Sequence, residues 1–304
     1  MAATPRARAA SILPALAAAI LFIAVATPAA ASVAGGRPAR IVSLDLCTDQ
    51  LLVALGDRAQ IAAVTHLARD PVLSAVAAAA QELPTTHGGA EEVLGYDPDL
   101  VLAGPYGVSP TVHLLQRLHR NVVIVPLAQD LPGVRRAVRK VAAAIGGEGR
   151  GAAMLADFDA RLARISLAGA RPSAAVYEIG GGTFGPGSLA DAALAAAGYR
   201  NMAADYRLTR SGGVALERLI TDPPDLLVVA REEGAYRTPV ADNLRHPALR
   251  MLWAQRPLLA LPARLWLCGI PQIADAIERL AGMRQQVAEA ALQRARAADK
   301  AGAR

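Results

Sequence analysis

Two segments, AEEVLGYDPDLVLA (residues 90–103) and LERLITDPPDLLVVA (residues 216–230), decide how this chain folds, because they repeat one plan in register. Glu91 and Glu217 each stand eight residues before an aspartate, Asp99 and Asp225, with the apolar pairs Val93-Leu94 and Leu219-Ile220 between them. Pro98 and Pro224 then stop a short helix, and an all-apolar strand follows, the pattern of a strand buried on both faces of a parallel sheet. One chain therefore carries the same helix-turn-strand unit twice.

Working outward, the first half contains ARIVSL, the polar loop DLC and the helix-like TDQLLVALG closed by Gly56. The second contains SAAVYEI, the loop GGGTFGPG and SLADAALAAAG closed by Gly198. Both read as strand, loop and helix with glycine at the C-terminal stop. The expected fold class is α/β, with two Rossmann-like lobes of parallel-rich sheet, the first over residues 32–147 and the second over 169–304. Between them Gly146-Gly147 parts two helices, and Leu155, Phe158, Leu162 and Ile165 make one apolar face at spacings of 3, 4 and 3. A helix over residues 148–168 would span roughly 30 Å and bridge the lobes. The alternative is two ordinary helices inside one larger domain.

Arg6 and Arg8, an apolar run from about Ile12 to Val25, and Ala29-Ala30-Ala31 before Ser32 read as a secretory signal peptide over residues 1–31, cut after Ala31. The apolar run is shorter than the roughly 20 residues of a bilayer span. No cysteine follows it, so no lipid anchor is indicated. The formal charge is +6, almost all of the cations are arginines scattered among acids, and Lys140 and Lys300 are the only lysines. Nucleic-acid binding has little support in such a pattern.

RIVSLDLCTDQLLVALG, the PDLVLA segment, its echo in the second half and the long helix between them together resemble the periplasmic substrate-binding proteins of ABC importers for iron-siderophores and cobalamin. The resemblance covers nearly all of the chain after residue 31. It implies two lobes facing each other across a cleft, a rigid helical backbone, a monomer, and a high-affinity binder rather than an enzyme. It also implies that one exposed acid on each lobe docks onto arginines of the membrane permease. Those positions are Glu91 and Glu217, with Glu92 the neighbouring alternative to Glu91. Carboxylates spaced across two lobes would set orientation and on-rate more than raw affinity.

In open α/β sheets ligands lie beyond the carboxyl ends of the strands. The strand-exit loops there offer Asp45, Leu46, Cys47, Thr65, His66, Thr86, His87 and Tyr106 in the first half. The second half offers Thr183, Phe184, Tyr206, Arg207, Arg210, Trp266 and Cys268. Aromatic faces suit a corrin or porphyrin, arginines suit anionic siderophore groups, and imidazole or thiolate suits a metal. The resemblance implies a metal chelate as the ligand; no resident cofactor and no protein-held metal is expected. Gly104 stands where cobalamin-binding relatives carry an aromatic residue, while Phe184 matches another of their aromatic positions. Cys47 and Cys268 have three readings: two partly buried thiols, a disulfide stapling the lobes, or direct ligand contact. His113, His119 and His246 read as surface or structural residues.

The literal G-x-G-x-x-G at Gly180, Gly182 and Gly185 suggests a rival, a secreted Rossmann-type enzyme. Pro186 and Gly187 intervene before the helix, however, and Ser188 with Asp191 forms a capping-box-like start that claims the free N–H groups a phosphate would need. There is no G-x-S-x-G, HExxH or CxxC. A third reading is a periplasmic haem or metal carrier with no transporter.

Overall fold

The computed structural model describes residues 36–105, 110–208, 211–230 and 246–302. The expected signal peptide, Tyr106 and Arg210 lie outside the described residues. The first half builds β1 (Ile41–Ser43), α1 (Leu46–Leu55), β2 (Ile61–Thr65), α2 (Ala77–Ala80), β3 (Thr85–Thr86), α3 (Ala90–Gly95), β4 (Leu100–Ala103), α4 (Pro110–Arg117) and β5 (Val122–Ile124). Its five strands pair in the order β3-β2-β1-β4-β5, all parallel.

Two helices follow, α5 (Leu131–Ile145) and α6 (Glu148–Ala163). The second half then builds β6 (Ser173–Tyr177), β7 (Gly182–Thr183), α7 (Leu189–Ala196), β8 (Arg200–Asn201), β9 (Gly212–Gly213), α8 (Leu216–Thr221), β10 (Leu226–Ala230), α9 (Pro247–Gln255), β11 (Leu258–Leu261) and α10 (Ile273–Gly302). Here a parallel sheet of order β11-β10-β6-β8 forms, and β7 pairs antiparallel with β9 beside it.

The duplicated segments fold alike. Helices α3 and α8 occupy matching positions, and strands β4 and β10 each pair with the first strand of their half, Leu100 opposite Ile41 and Leu226 opposite Ala174. The repeated aspartate does the same work in both halves, because it ties down the chain entering that neighbouring strand. The Asp99 carboxylate accepts the N–H groups of Ala39 (2.6 Å) and Arg40 (3.0 Å). The Asp225 carboxylate accepts the N–H of Ser173 (3.0 Å) and its hydroxyl (2.8 Å).

The helix between the sheets is shorter than expected. It stops at Ala163, so its 16 residues span about 24 Å. It still serves both halves: Leu155 is buried in the core of the first sheet and Phe158 in the core of the second, with Leu162 and Ile165 packed against the latter. Helix α5 shares the bridge, since Val134 joins the second core while Val138, Val141 and Ile145 join the first.

The halves also exchange small pieces of chain. Ala128, which follows β5, is buried in the second core, and Cys268 and Ile270 are buried in the first. Cys47 at the head of α1 forms a disulfide with Cys268, their Cα atoms 5.2 Å apart. Beside that bond a Cβ on Gly269 would collide with Ala128, so glycine alone lets the two backbones meet there.

Candidate functional site

A cavity of about 660 Å3 opens beyond the carboxyl ends of the second sheet. Leu127, Ala128 and Gln129 line one side; Phe184, Pro186 and Leu189 from the glycine loop and α7 line another; Trp266 and Leu267 close a third. Its volume lies in the usual range of small-molecule sites, roughly 300–1,000 Å3. The aromatic and aliphatic lining suits a solute with a large apolar face, and Glu178, just after β6, is also part of the lining. A larger groove of about 820 Å3 lies at the far end of α6 against α10. It is away from every strand exit and carries none of the expected ligand residues.

The glycine loop folds as a wall of this cavity. Gly180, Gly181 and Gly187 take φ near +80°, which sharp reversals of this kind require. Ser188 caps α7 by accepting the N–H of Asp191 at 3.1 Å, and the Asp191 carboxylate accepts the N–H of Gly187 at 3.1 Å. That reciprocal cap occupies donors a pyrophosphate would use.

Of the residues expected to meet ligand, the structure brings Phe184 and Trp266 to this cavity. Trp266 is nearly buried, with 7% of its surface exposed. Others are spent on structure. The Thr183 hydroxyl donates to the Val176 carbonyl at 2.5 Å and is buried. The Tyr206 hydroxyl donates to the Asp222 carbonyl at 2.9 Å, its ring packed on the second half's smaller core under the Arg218 guanidinium. Arg207 is exposed with φ +62° and does not line the cavity.

In the first half, the DLC stretch forms the start of α1 rather than a loop. Asp45 is its N-cap, accepting from the N–H groups of Cys47 (2.9 Å) and Thr48 (3.3 Å). Leu46 is buried, and Cys47 with Cys268 is in the disulfide, so neither sulfur is a thiolate available to a metal. The same cap explains Gly104. A Cβ there would sit 2.6 Å from the Asp45 carboxyl carbon, so this position has no room for an aromatic side chain.

Thr86 is buried, its hydroxyl 2.7 Å from the Glu92 carboxylate, which also accepts the N–H of His87 at 2.9 Å. These donors, led by the Thr86 hydroxyl, hold the Glu92 carboxyl below its ordinary pKa. Glu92 is thereby engaged, while Glu91 next to it points outward and is exposed, as is Glu217 on α8. His66 and His87 are exposed and stack on each other, ring centroids 4.7 Å apart.

Sequence reasoning missed Leu127, Ala128 and Gln129. The signal was available: NVVIVP reads as another strand, and the chain leaving it is one more strand exit.

Known proteins give the context for this geometry. A family model described as periplasmic binding protein matches residues 41–254. A cobalamin-binding protein of Halobacterium salinarum is 30% identical over 199 residues, 63% of this chain and 54% of that protein. The chain thus spans about half the length of the curated relatives it matches. Among solved structures, a periplasmic haem-binding protein of Roseiflexus sp. RS-1 superposes with a TM-score of 0.64 at 23% identity, over 83% of this chain and 98% of that one. The periplasmic vitamin B12-binding protein of Vibrio cholerae does so with a TM-score of 0.61 at 18% identity, over 83% and 98%. At these identities the two structures speak for the fold, and the family match speaks for the kind of protein. With two parallel sheets bridged by helices, a cavity at the strand ends and most of its length matched, the chain belongs to the periplasmic binding protein family, whose members bind solutes rather than catalyse reactions.

Proposed function

We propose that this protein is the solute-binding component of an ABC importer, exported by cleavage after Ala31, and that it captures a metal chelate of the siderophore, haem or cobalamin class. The observation that carries this reading is the cavity walled by Phe184 and Trp266 at the strand carboxyl ends, large enough for the flat face of a macrocycle. Its apolar lining favours a ring system over a highly charged open chelator. The curated relative described as cobalamin-binding supports the same class.

Delivery to the permease falls to Glu91 and Glu217, which are exposed at equivalent positions of α3 and α8. Exposed acids of this kind steer and orient a partner without stabilising the fold. Two measurements test the reading together. In a thermal-shift panel of cyanocobalamin, haemin and ferric siderophores, the specific solute at a hundredfold over its Kd stabilises the protein by about 2.7 kcal/mol. No shift with any of them defeats the proposed solute class. Glu91→Lys with Glu217→Lys should keep that shift and abolish uptake in cells. Undiminished uptake would point instead to a carrier working without the permease.

A further inference from the structure

His66 and His87 are brought together by the sheet itself. Thr65 pairs with Thr86 in the parallel register of β2 and β3, so the residues that follow leave the sheet side by side. Neighbouring strands lie about 4.8 Å apart, and the two imidazole centroids are 4.7 Å apart with 25° between the ring planes. Both backbones are clamped by carboxyl groups. Asp49 accepts the N–H of Thr65 at 3.1 Å and its hydroxyl at 2.5 Å, and Glu92 accepts the hydroxyl of Thr86 and the N–H of His87. Yet neither imidazole has a hydrogen-bond partner among the described residues, and both are exposed. A structural histidine normally spends a ring nitrogen on the fold, as His246 does in accepting the N–H of Ala248.

We propose that His66 and His87 form a two-imidazole donor site that completes the coordination sphere of a first-row transition metal already held by a tetradentate or smaller chelator. The stacked rings, both exposed, can splay apart and turn their nitrogens onto two adjacent positions of an octahedral metal, each nitrogen replacing one bound water. Imidazole suits iron, nickel, copper and zinc. Among the described residues no group of three or more His, Cys, Asp or Glu is placed to hold a metal, so a bare ion would find too few donors here. A metal that brings most of its own donors needs only the two that the pair supplies. The physiological cargo rests on the importer reading; the coordination chemistry does not.

The test uses tag-free protein and nickel(II) nitrilotriacetate, whose tetradentate chelator leaves two adjacent nickel positions open. Calorimetry should show one saturable site per chain, weakened at least about tenfold by His66→Gln or His87→Gln and abolished by both. A variant lacking the exposed His113, His119 and His246 instead should bind as the wild type does. Nickel(II) ethylenediaminetetraacetate, with its donors filled, should not bind. Binding that survives the double substitution, or equal binding of both complexes, overturns the proposal. Its failure is separable from that of the importer reading, because Phe184→Ala should weaken capture of the macrocyclic solutes and leave the nickel complex unaffected.

Discussion

Asp49 lies fully buried on α1, and burial is the largest influence on its carboxyl, pushing the pKa up to about 7 against the hydrogen bonds from Ser43 and Thr65. The nearby Asp45 carboxylate adds to the push. The folded protein therefore holds this proton where the unfolded chain has lost it, so stability falls as pH rises from about 4 to about 7 and is level beyond. The gap is worth up to about 4 kcal/mol. Asp49→Asn keeps an acceptor for the Thr65 N–H and gains a donor for its hydroxyl without a charge. Urea unfolding between pH 4 and pH 8 should show the variant losing that slope and exceeding the wild type at pH 8; parallel curves would place the proton elsewhere. Residue-scale facts of this kind were the least legible in the sequence. Phe184 could be read as a wall because a glycine loop after a strand must present something. Thr183 and Tyr206 looked equally available, and only the fold reveals the carbonyls of Val176 and Asp222 that take their hydroxyl protons.

Asp99 and Asp225 show what repetition means at the scale of elements. Their spacing from Glu91 and Glu217 was plain in the sequence, as were the apolar strands after them, because a strand buried on both faces leaves an unbroken apolar run. Their task was not, since the partner backbone lies more than fifty residues away. Burial alone would raise the Asp225 pKa, but the Ser173 N–H and hydroxyl and the Arg294 guanidinium at 2.8 Å from α10 outweigh it and hold it below the ordinary value. Stability from this group is thus present above about pH 4 and lost as pH falls further. Asp225→Ala strands the Ser173 donors and leaves Arg294 half-buried without its partner, at a cost of about 2–4 kcal/mol. Chemical denaturation should show it, while Glu217→Ala on the neighbouring α8 should stay within about 0.5 kcal/mol. Equal effects would mean that the strand entrance needs no clamp. The bridging helix was legible in its apolar face but not in its end: Ile165 continues the spacing and still packs on the second core from outside the helix.

The molecule as a whole is held by two bridging helices and one covalent bond. Cys47–Cys268 links residues 221 positions apart in the chain and joins α1 of the first half to the segment carrying Trp266 and Leu267, a wall of the cavity. In the chain-entropy account such a loop restricts the unfolded state by up to about 5 kcal/mol. The native arrangement of that wall has a second support, because Gly269 rests on Ala128 and Ile270 is buried in the first core whether or not the sulfurs are joined. The two contributions separate experimentally. Reduction, or Cys47→Ser with Cys268→Ser, should lower the unfolding free energy by about 3–5 kcal/mol, yet change affinity for the captured solute by less than about threefold, since the cavity lining stays in place. Thiol titration of the denatured protein fixes the starting state, with no reactive thiol before reduction and two after it. An unchanged denaturation midpoint would show the staple to be idle. A large loss of affinity at unchanged stability would show that the bond, not the Gly269–Ala128 contact, shapes the site.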